Sequence, residues 1–202
     1  PEKSFLNFSV SLTKRQKLLD ELSSILKWNY LPDPVSNYGD LEHFIYFRRK
    51  LINYSYNSVV SKNKNSSLFD LSYSEGAFIT KEDLKSTFLQ IKTPYQMPVF
   101  VLDKENLMSS LYGLSGLHDI DFKKHPDFSK RFFLSGEDKK AIRSFFTNDL
   151  IFFFESHPLY YIESKGDSIL IRGKERLASI QEIKHMLAFT EELLKLLNAK
   201  KS

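Results

Sequence analysis

Between Leu117 and Asp138 the chain reads LHDIDFKKHPDFSKRFFLSGED, which places His118, Asp119, Asp121, His125 and Asp127 close together. Imidazole nitrogens and carboxylate oxygens are the ligand types of zinc and other divalent ions. A metal held by His118, Asp121 and His125 could activate a water, so a metal-assisted hydrolase is one function this stretch could serve. The spacing argues the other way. It matches neither HExxH nor a calcium loop with its central glycine. Ile120 and Phe122 alternate with Asp119 and Asp121, the pattern of an extended segment with one buried face. His125 precedes Pro126 and is therefore biased to extended geometry, and Asp127 suits a turn ahead of Phe128. On this reading the aspartates and histidines shape a backbone turn, and no catalytic, cofactor-binding or metal-binding residue is assigned.

Other chemistries find less support. The G-x-S-x-G elbow is missing, and Leu114-Ser115-Gly116 reads as a connector. Neither GxxxxGK[ST] nor GxGxxG occurs, so Gly113 and Gly116 are a turn-prone pair with no phosphate cradle. Glu155 and Glu163 could pair as carboxylates, although nothing fixes their separation, and a surface position is the expectation for both. Tyr54, Tyr56, Tyr73, Phe88 and Phe100 could stack on bases from an exposed sheet, which keeps a single-stranded nucleic-acid binder as a further alternative. Interior aromatics of a core built from 18 Phe and 10 Tyr explain the same residues more simply.

The elements that must position these residues follow from periodicity and capping. A helix is expected over about 14–28, with Thr13 and Gln16 at capping-box spacing and Leu18, Leu19, Leu22, Ile25 and Leu26 on one stripe. Pro32 and Pro34 end it. Residues 41–52 form a short amphipathic piece, strand or helix. Strands then follow around Tyr54–Val60, over Leu68–Ser74, over Ser86–Lys92 and over Val99–Leu102, with Ser61–Ser67 as a turn and Pro94–Pro98 as a connector. In LFDLSYS, Leu68, Asp70 and Ser72 share one face and Phe69, Leu71 and Tyr73 the other. A short helix is expected over 104–112 and a strand over 131–134. A helix follows, with cap spacing from Ser135 to Asp138, and Thr147 is placed to restart it. Tyr160–Glu163 and Ser168–Arg172 flank SKGD, where Gly166 suggests a hairpin turn. The last helix opens on Ser179 and Glu182 and carries Ile183, Leu187, Thr190, Leu194 and Leu197 on one stripe, widened by Met186 and Leu193.

The composition narrows the options. The 202 residues suit one domain. The net charge of +4 is small and spread over TKRQK, RRK and KNK patches that read as solvated faces. With no cysteine, disulfides, thiolate metal sites and cysteine nucleophiles are excluded. No stretch reaches the roughly 20 apolar residues of a membrane helix, and the longest apolar run, Leu150–Phe154, stops at Glu155.

The segments LFDLSYS, TFLQI, MPVFVLDKEN, DIDFKKHPDFSKRFFLSGEDKKAIRSFF and YYIESKGDSILI occur in this order. Together, over residues 50–197, they make a set that resembles a group of bacterial membrane-tethered proteins of unknown function. The most specific part is Asp119–Arg143, through Ile120, Asp121, Phe122, Pro126, Phe128, Ser129, Leu134, Gly136 and Asp138. The resemblance implies a soluble α+β domain that follows N-terminal transmembrane helices, and it implies no catalytic residue. This chain departs from the group in showing no such helices. If a span lay upstream, the basic patch Thr13–Lys17 would favour the cytoplasmic side.

The expected architecture is α+β, an antiparallel sheet (a meander plus a C-terminal hairpin) with helices mainly on one face. Residues 1–40 supply a helix and a Pro-containing loop packed on a single domain of residues 41–202. The expected function is non-enzymatic binding or scaffolding, with an unknown protein partner, no cofactor and no nucleic acid. The expected location is the cytoplasm or the cytoplasmic face of a membrane.

Overall fold

The computed structural model describes residues 12–36, 41–76, 81–104 and 118–199. Helix α1 (Lys14–Leu26) starts on the expected capping box: the Thr13 hydroxyl accepts the Gln16 N–H at 3.2 Å, and the Gln16 side chain accepts the Thr13 N–H at 2.8 Å. It ends where Lys27 turns left-handed at φ 57°. Strand β1 (Asn29–Leu31) follows, and two 3-10 turns (Leu41–His43 and Ile45–Phe47) then lead into strand β2 (Lys50–Val60). Strands β3 (Ser66–Glu75) and β4 (Glu82–Lys104) continue the meander. Helix α2 (Pro126–Arg131), strand β5 (Phe132–Ser135), helices α3 (Lys139–Phe145) and α4 (Asn148–Ser156), strand β6 (Tyr161–Arg172) and helix α5 (Ile180–Ala199) complete the order. The helix expected over 104–112 lies, beyond Lys104, outside the described residues, as do Gly113 and Leu114-Ser115-Gly116.

The six strands make one antiparallel sheet. Its axis is β4, whose 23 residues pair with β3 along the first half and with β5 along the second, while β6 runs along its other edge. Two expectations are corrected here. Pro94–Pro98 is no connector, because β4 runs through both prolines. The ladder to β6 breaks there and the register shifts on either side of Met97, so the missing proline N–H groups cost no paired bond. The C-terminal hairpin is a single strand. Gly166, at φ +63°, lies opposite Met97 in an irregular stretch of ladder, and both arms of β6 pair with β4 instead of with each other. A left-handed glycine serves a bulge as readily as a turn, so its chemistry alone does not choose between them.

The sheet is covered on both faces. The helical side buries Leu19 and Leu22 of α1, Ile142 of α3, Leu150, Ile151 and Phe154 of α4, and Ile183, Met186, Phe189, Leu193 and Leu197 of α5 against Leu68, Leu89, Leu102 and Ile171 of the sheet. The two 3-10 turns cover the other side, setting Phe44, Ile45, Tyr46 and Phe47 on Phe69, Leu71, Tyr73, Phe88 and Leu170. The expected split of LFDLSYS between two faces is therefore observed, and both faces are interior. What fastens the turns is a carboxylate expected at the surface. Glu163 is 0% exposed and accepts the N–H groups of Ile45 and Tyr46 and the Tyr161 hydroxyl. Burial pushes its pKa up against these three donors.

Several residues of the segment read first for chemistry pack and cap. Ile120 and Phe128 are buried. The Asp119 carboxylate accepts the N–H groups of Ile120 and Leu134, tying the extended segment to β5. His125 and Pro126 start α2, a helix not expected from the sequence. The cap of α3 is Asp138, whose side chain accepts the Ala141 N–H at 2.9 Å; Ser135 is instead the last residue of β5.

Helix α5 opens as expected. The Glu182 carboxylate accepts the Ser179 N–H at 2.9 Å and two Arg176 N–H bonds at 2.6 and 3.0 Å. Arg176 first, then the Ser179 N–H, pulls its pKa from 4.5 to about 2. A depressed carboxylate stabilises the fold above its unfolded value and loses that contribution as pH falls through the folded one. Glu182→Gln is thus expected to be slightly less stable than the parent at neutral pH, the effect being small because the side chain is exposed. Urea titrations at successive pH values should show the gap closing between about 4.5 and 2.

Candidate functional site

Tyr161 and Arg172 sit eleven residues apart on β6, a span of about 36 Å in a straight strand. Their side chains nevertheless meet, with the guanidinium 5.6 Å from the Tyr161 ring centroid. The strand therefore bends sharply about Gly166, and β4 bends with it. Tyr46 occupies the inside of the bend. Its ring lies 5.0 Å from Tyr161, 5.6 Å from Phe88 and 4.9 Å from the Arg172 guanidinium.

The bend leaves a cavity of about 650 Å³. Its walls are the two ends of β6, the 158–160 approach to it, the 173–178 loop, the first turns of α5, and Tyr46, Lys50 and Asp103. Arg172 and Lys50 supply nearly buried cations, with side chains 8% and 5% exposed. Lys50 lies over the Tyr46 ring at 4.6 Å and pairs with Glu75 at 2.8 Å. Arg172 reaches Glu175 at 3.5 Å, and its Nε has no hydrogen-bond partner among the described residues. Nearby, the Tyr46 hydroxyl bonds Tyr73 at 2.9 Å and donates to Glu175 at 3.0 Å. Burial raises the pKa of Tyr46 and Tyr161, so both phenols stay protonated at neutral pH. It also raises Asp103, against the Lys104 N–H and the Arg172 charge. Leu159, Tyr160 and Met186 give one side an apolar wall. Among the described residues, no serine, threonine or cysteine lines the cavity. What the lining can do is hold an anion beside aromatic and aliphatic surface.

The residues named first from the sequence do not form this site. Asp121 and His125 line a separate groove of about 690 Å³ between the Asp119–His125 segment and helices α3 and α4. His118 lies outside that lining, is exposed, and lends its carbonyl to the Ser135 hydroxyl. The His125 ring bonds the Asn148 side chain at 2.9 Å, and Arg143 donates to the Asp121 carbonyl. Among the described residues, no three His, Asp or Glu side chains converge as metal ligands. Of the five aromatics considered for base stacking, Tyr73, Phe88 and Phe100 are interior. Glu155 and Glu163 stay apart in role. Glu163 holds the 3-10 turns, while the Glu155 carbonyl accepts from Arg131. Sequence reasoning missed Arg172 and Tyr46 altogether. A lone arginine at the end of a strand carries no spacing signal, and Tyr46, which lies against it, comes from a segment more than 120 residues away.

Among solved structures, the chain is similar to the mycobacterial trehalose monomycolate transport factor A, TtfA, with a TM-score of 0.57 and 10% identity over 90% of this chain and 93% of that one. The two share a fold. At that identity the likeness extends no further than architecture. No protein-family profile and no curated protein sequence matches the chain. No helix among the described residues is long and apolar enough to cross a membrane.

Proposed function

We propose that this is a non-enzymatic binding domain whose ligand enters the cavity beside β6, and that it serves a bacterial protein working at the cytoplasmic face of a membrane. The observation that carries the reading is the bend of β6, which leaves a roomy recess lined by aromatic rings and two sequestered cations where a continuous core would otherwise close. A preformed recess with a few converging polar groups is the usual form of a ligand site. Among the described residues the lining supplies no serine, threonine or cysteine nucleophile. The membrane part of the proposal draws on the shared fold with a transport factor and on the resemblance to tethered bacterial proteins.

A thermal-shift panel of charged and neutral small molecules tests the cavity. Compounds that raise the melting temperature are expected to lose that effect in Leu159→Trp, which fills one wall, while the unliganded melting temperature changes little. Stabilisation unaffected by Leu159→Trp would overturn the assignment. Fractionating cells that express the complete coding sequence tests the location: recovery wholly in the soluble fraction would remove the membrane.

A further inference from the structure

We infer that the cavity takes an amphiphilic oxyanion, a carboxylate or phosphate head bound by Arg172 with its apolar body against Leu159, Tyr160 and Met186. This rests on the binding function proposed above and names the ligand's chemistry. Arg172 is 6% exposed overall, so its guanidinium is largely stripped of water. A buried cation normally has its hydrogen bonds filled by acceptors and its charge matched by a close acid. Here the Nε has no acceptor among the described residues and, at 6% exposure, no ready access to solvent. The paired acid, Glu175, is 3.5 Å away and 55% exposed, so water screens it. Asp103 also faces the cavity, where burial raises its pKa against the Lys104 N–H and the Arg172 charge. The rings of Tyr46 and Tyr161 lie 4.9 and 5.6 Å from the guanidinium and hold it by cation–π attraction, which consumes none of its N–H groups.

Planar carboxylate and tetrahedral phosphate both fit a guanidinium edge through paired N–H bonds. The rim reinforces the preference. Five cationic side chains line the cavity against the three carboxylates of Asp103, Glu175 and Glu182. The wall formed by Leu159, Tyr160 and Met186 offers nothing to a second charge, so the remainder of the ligand is apolar. A fully hydrophilic phosphate would leave that wall wet, and a neutral lipid would leave the Arg172 Nε without an anionic acceptor.

Isothermal titration of the full chain with octanoate, octyl phosphate, octanol and octylammonium tests this directly, because the four probes share a tail and differ in the head. Octanoate or octyl phosphate is expected to bind at least tenfold tighter than octanol, with octylammonium weakest. Which anion binds better separates a fatty-acid from a phosphate-ester source. Arg172→Gln should lose that tenfold preference while keeping weak octanol binding, and Arg172→Lys should retain part of it. Should Arg172→Gln not fold, Arg172→Lys and the salt dependence of octanoate binding in the parent chain carry the test. Equal affinity for octanol and octanoate, or octanoate affinity unchanged in the arginine variants, would overturn the head-group assignment and leave the cavity standing as a neutral-ligand site. Failure of all four probes, in a protein that another compound stabilises through the Leu159 wall, would likewise overturn the amphiphilic oxyanion alone. Failure of every compound would sink both readings.

Discussion

Asp70→Ala is expected to cost about 3–5 kcal/mol, the usual penalty for removing one partner of a buried ion pair. Asp70 is 1% exposed on the helical face of β3. One carboxylate oxygen accepts from Arg15 at 2.6 Å and from the Thr87 hydroxyl at 2.8 Å; the other accepts from Arg15 at 2.7 Å and from Asn57 at 2.9 Å. Arg15 also donates to the Ala178 carbonyl at 2.7 Å, and Tyr30 donates to Asn57 at 3.1 Å. One carboxylate thus joins α1, β2, β3, β4 and the approach to α5. Alanine would leave a guanidinium, an amide and a hydroxyl competing for too few acceptors in a site that water reaches only through Arg15, whose side chain is 23% exposed. Since whole domains are stable by about 5–15 kcal/mol, the variant should stand near the edge of folding. Urea denaturation gives the number. Replacing both partners, as Arg15→Met with Asp70→Leu, should recover much of the loss, because no buried charge is then orphaned. A single-variant cost below about 1 kcal/mol would show that the pair is not a structural keystone.

Gly136→Ala should do comparable damage for a different reason. Gly136 follows β5 at the point where the chain turns toward α3. A Cβ there would fall far inside van der Waals contact distance of the Val99 carbonyl oxygen, 2.5 Å from the Ile142 side chain and 3.3 Å from the Phe100 Cα. A side chain can rotate away, but a carbonyl in the middle of β4 cannot. Room could come only by prising β5 from β4, across the Val101–Ser135 pairing. Overpacking a core usually costs about 1–3 kcal/mol, and a clash with fixed backbone exceeds that range. Gly136→Ala is therefore expected to be largely insoluble or to unfold at far lower urea. Gly173→Ala supplies the control: its added Cβ meets nothing nearer than Tyr160 at 4.0 Å, so its urea midpoint should barely move. Equal midpoints for the two variants would refute the close approach.

Local signals were legible where the chain answers to its own neighbours. The Thr13–Gln16 and Ser179–Glu182 boxes mark both long helices, and period two in LFDLSYS marks a strand, because caps and pleats involve residues two to four apart. The α+β class with an antiparallel sheet followed from these. What escaped depends on distant partners. Pro94 and Pro98 argue for a break unless β6 is known to leave an irregular ladder opposite them. Gly166 argues for a turn unless β4 is known to take both arms. Glu163 looks like a surface acid unless Ile45 and Tyr46 are known to bring their N–H groups across to it. The cavity is the extreme case: its cation, its aromatic clamp and its apolar wall come from four separate stretches of chain. The acidic segment drew attention for the opposite reason. Its charged residues are adjacent, yet adjacency there serves Asp119 and Asp138 as backbone acceptors.

The central strand also sets an order of events during synthesis. Phe88 of β4 pairs with Arg172 of β6, eighty-four residues later, and Leu102 pairs with Ile162, sixty later. As the ribosome delivers the chain, β2, β3 and the first half of β4 can assemble at once, but one side of β4 has no mate until β6 has emerged. During that interval a long apolar strand presents free N–H and carbonyl groups to any neighbouring nascent chain, the geometry that seeds aggregation. Chains truncated before residue 160 should therefore collect in inclusion bodies, and a pause in translation before β6 should do more harm than one after it.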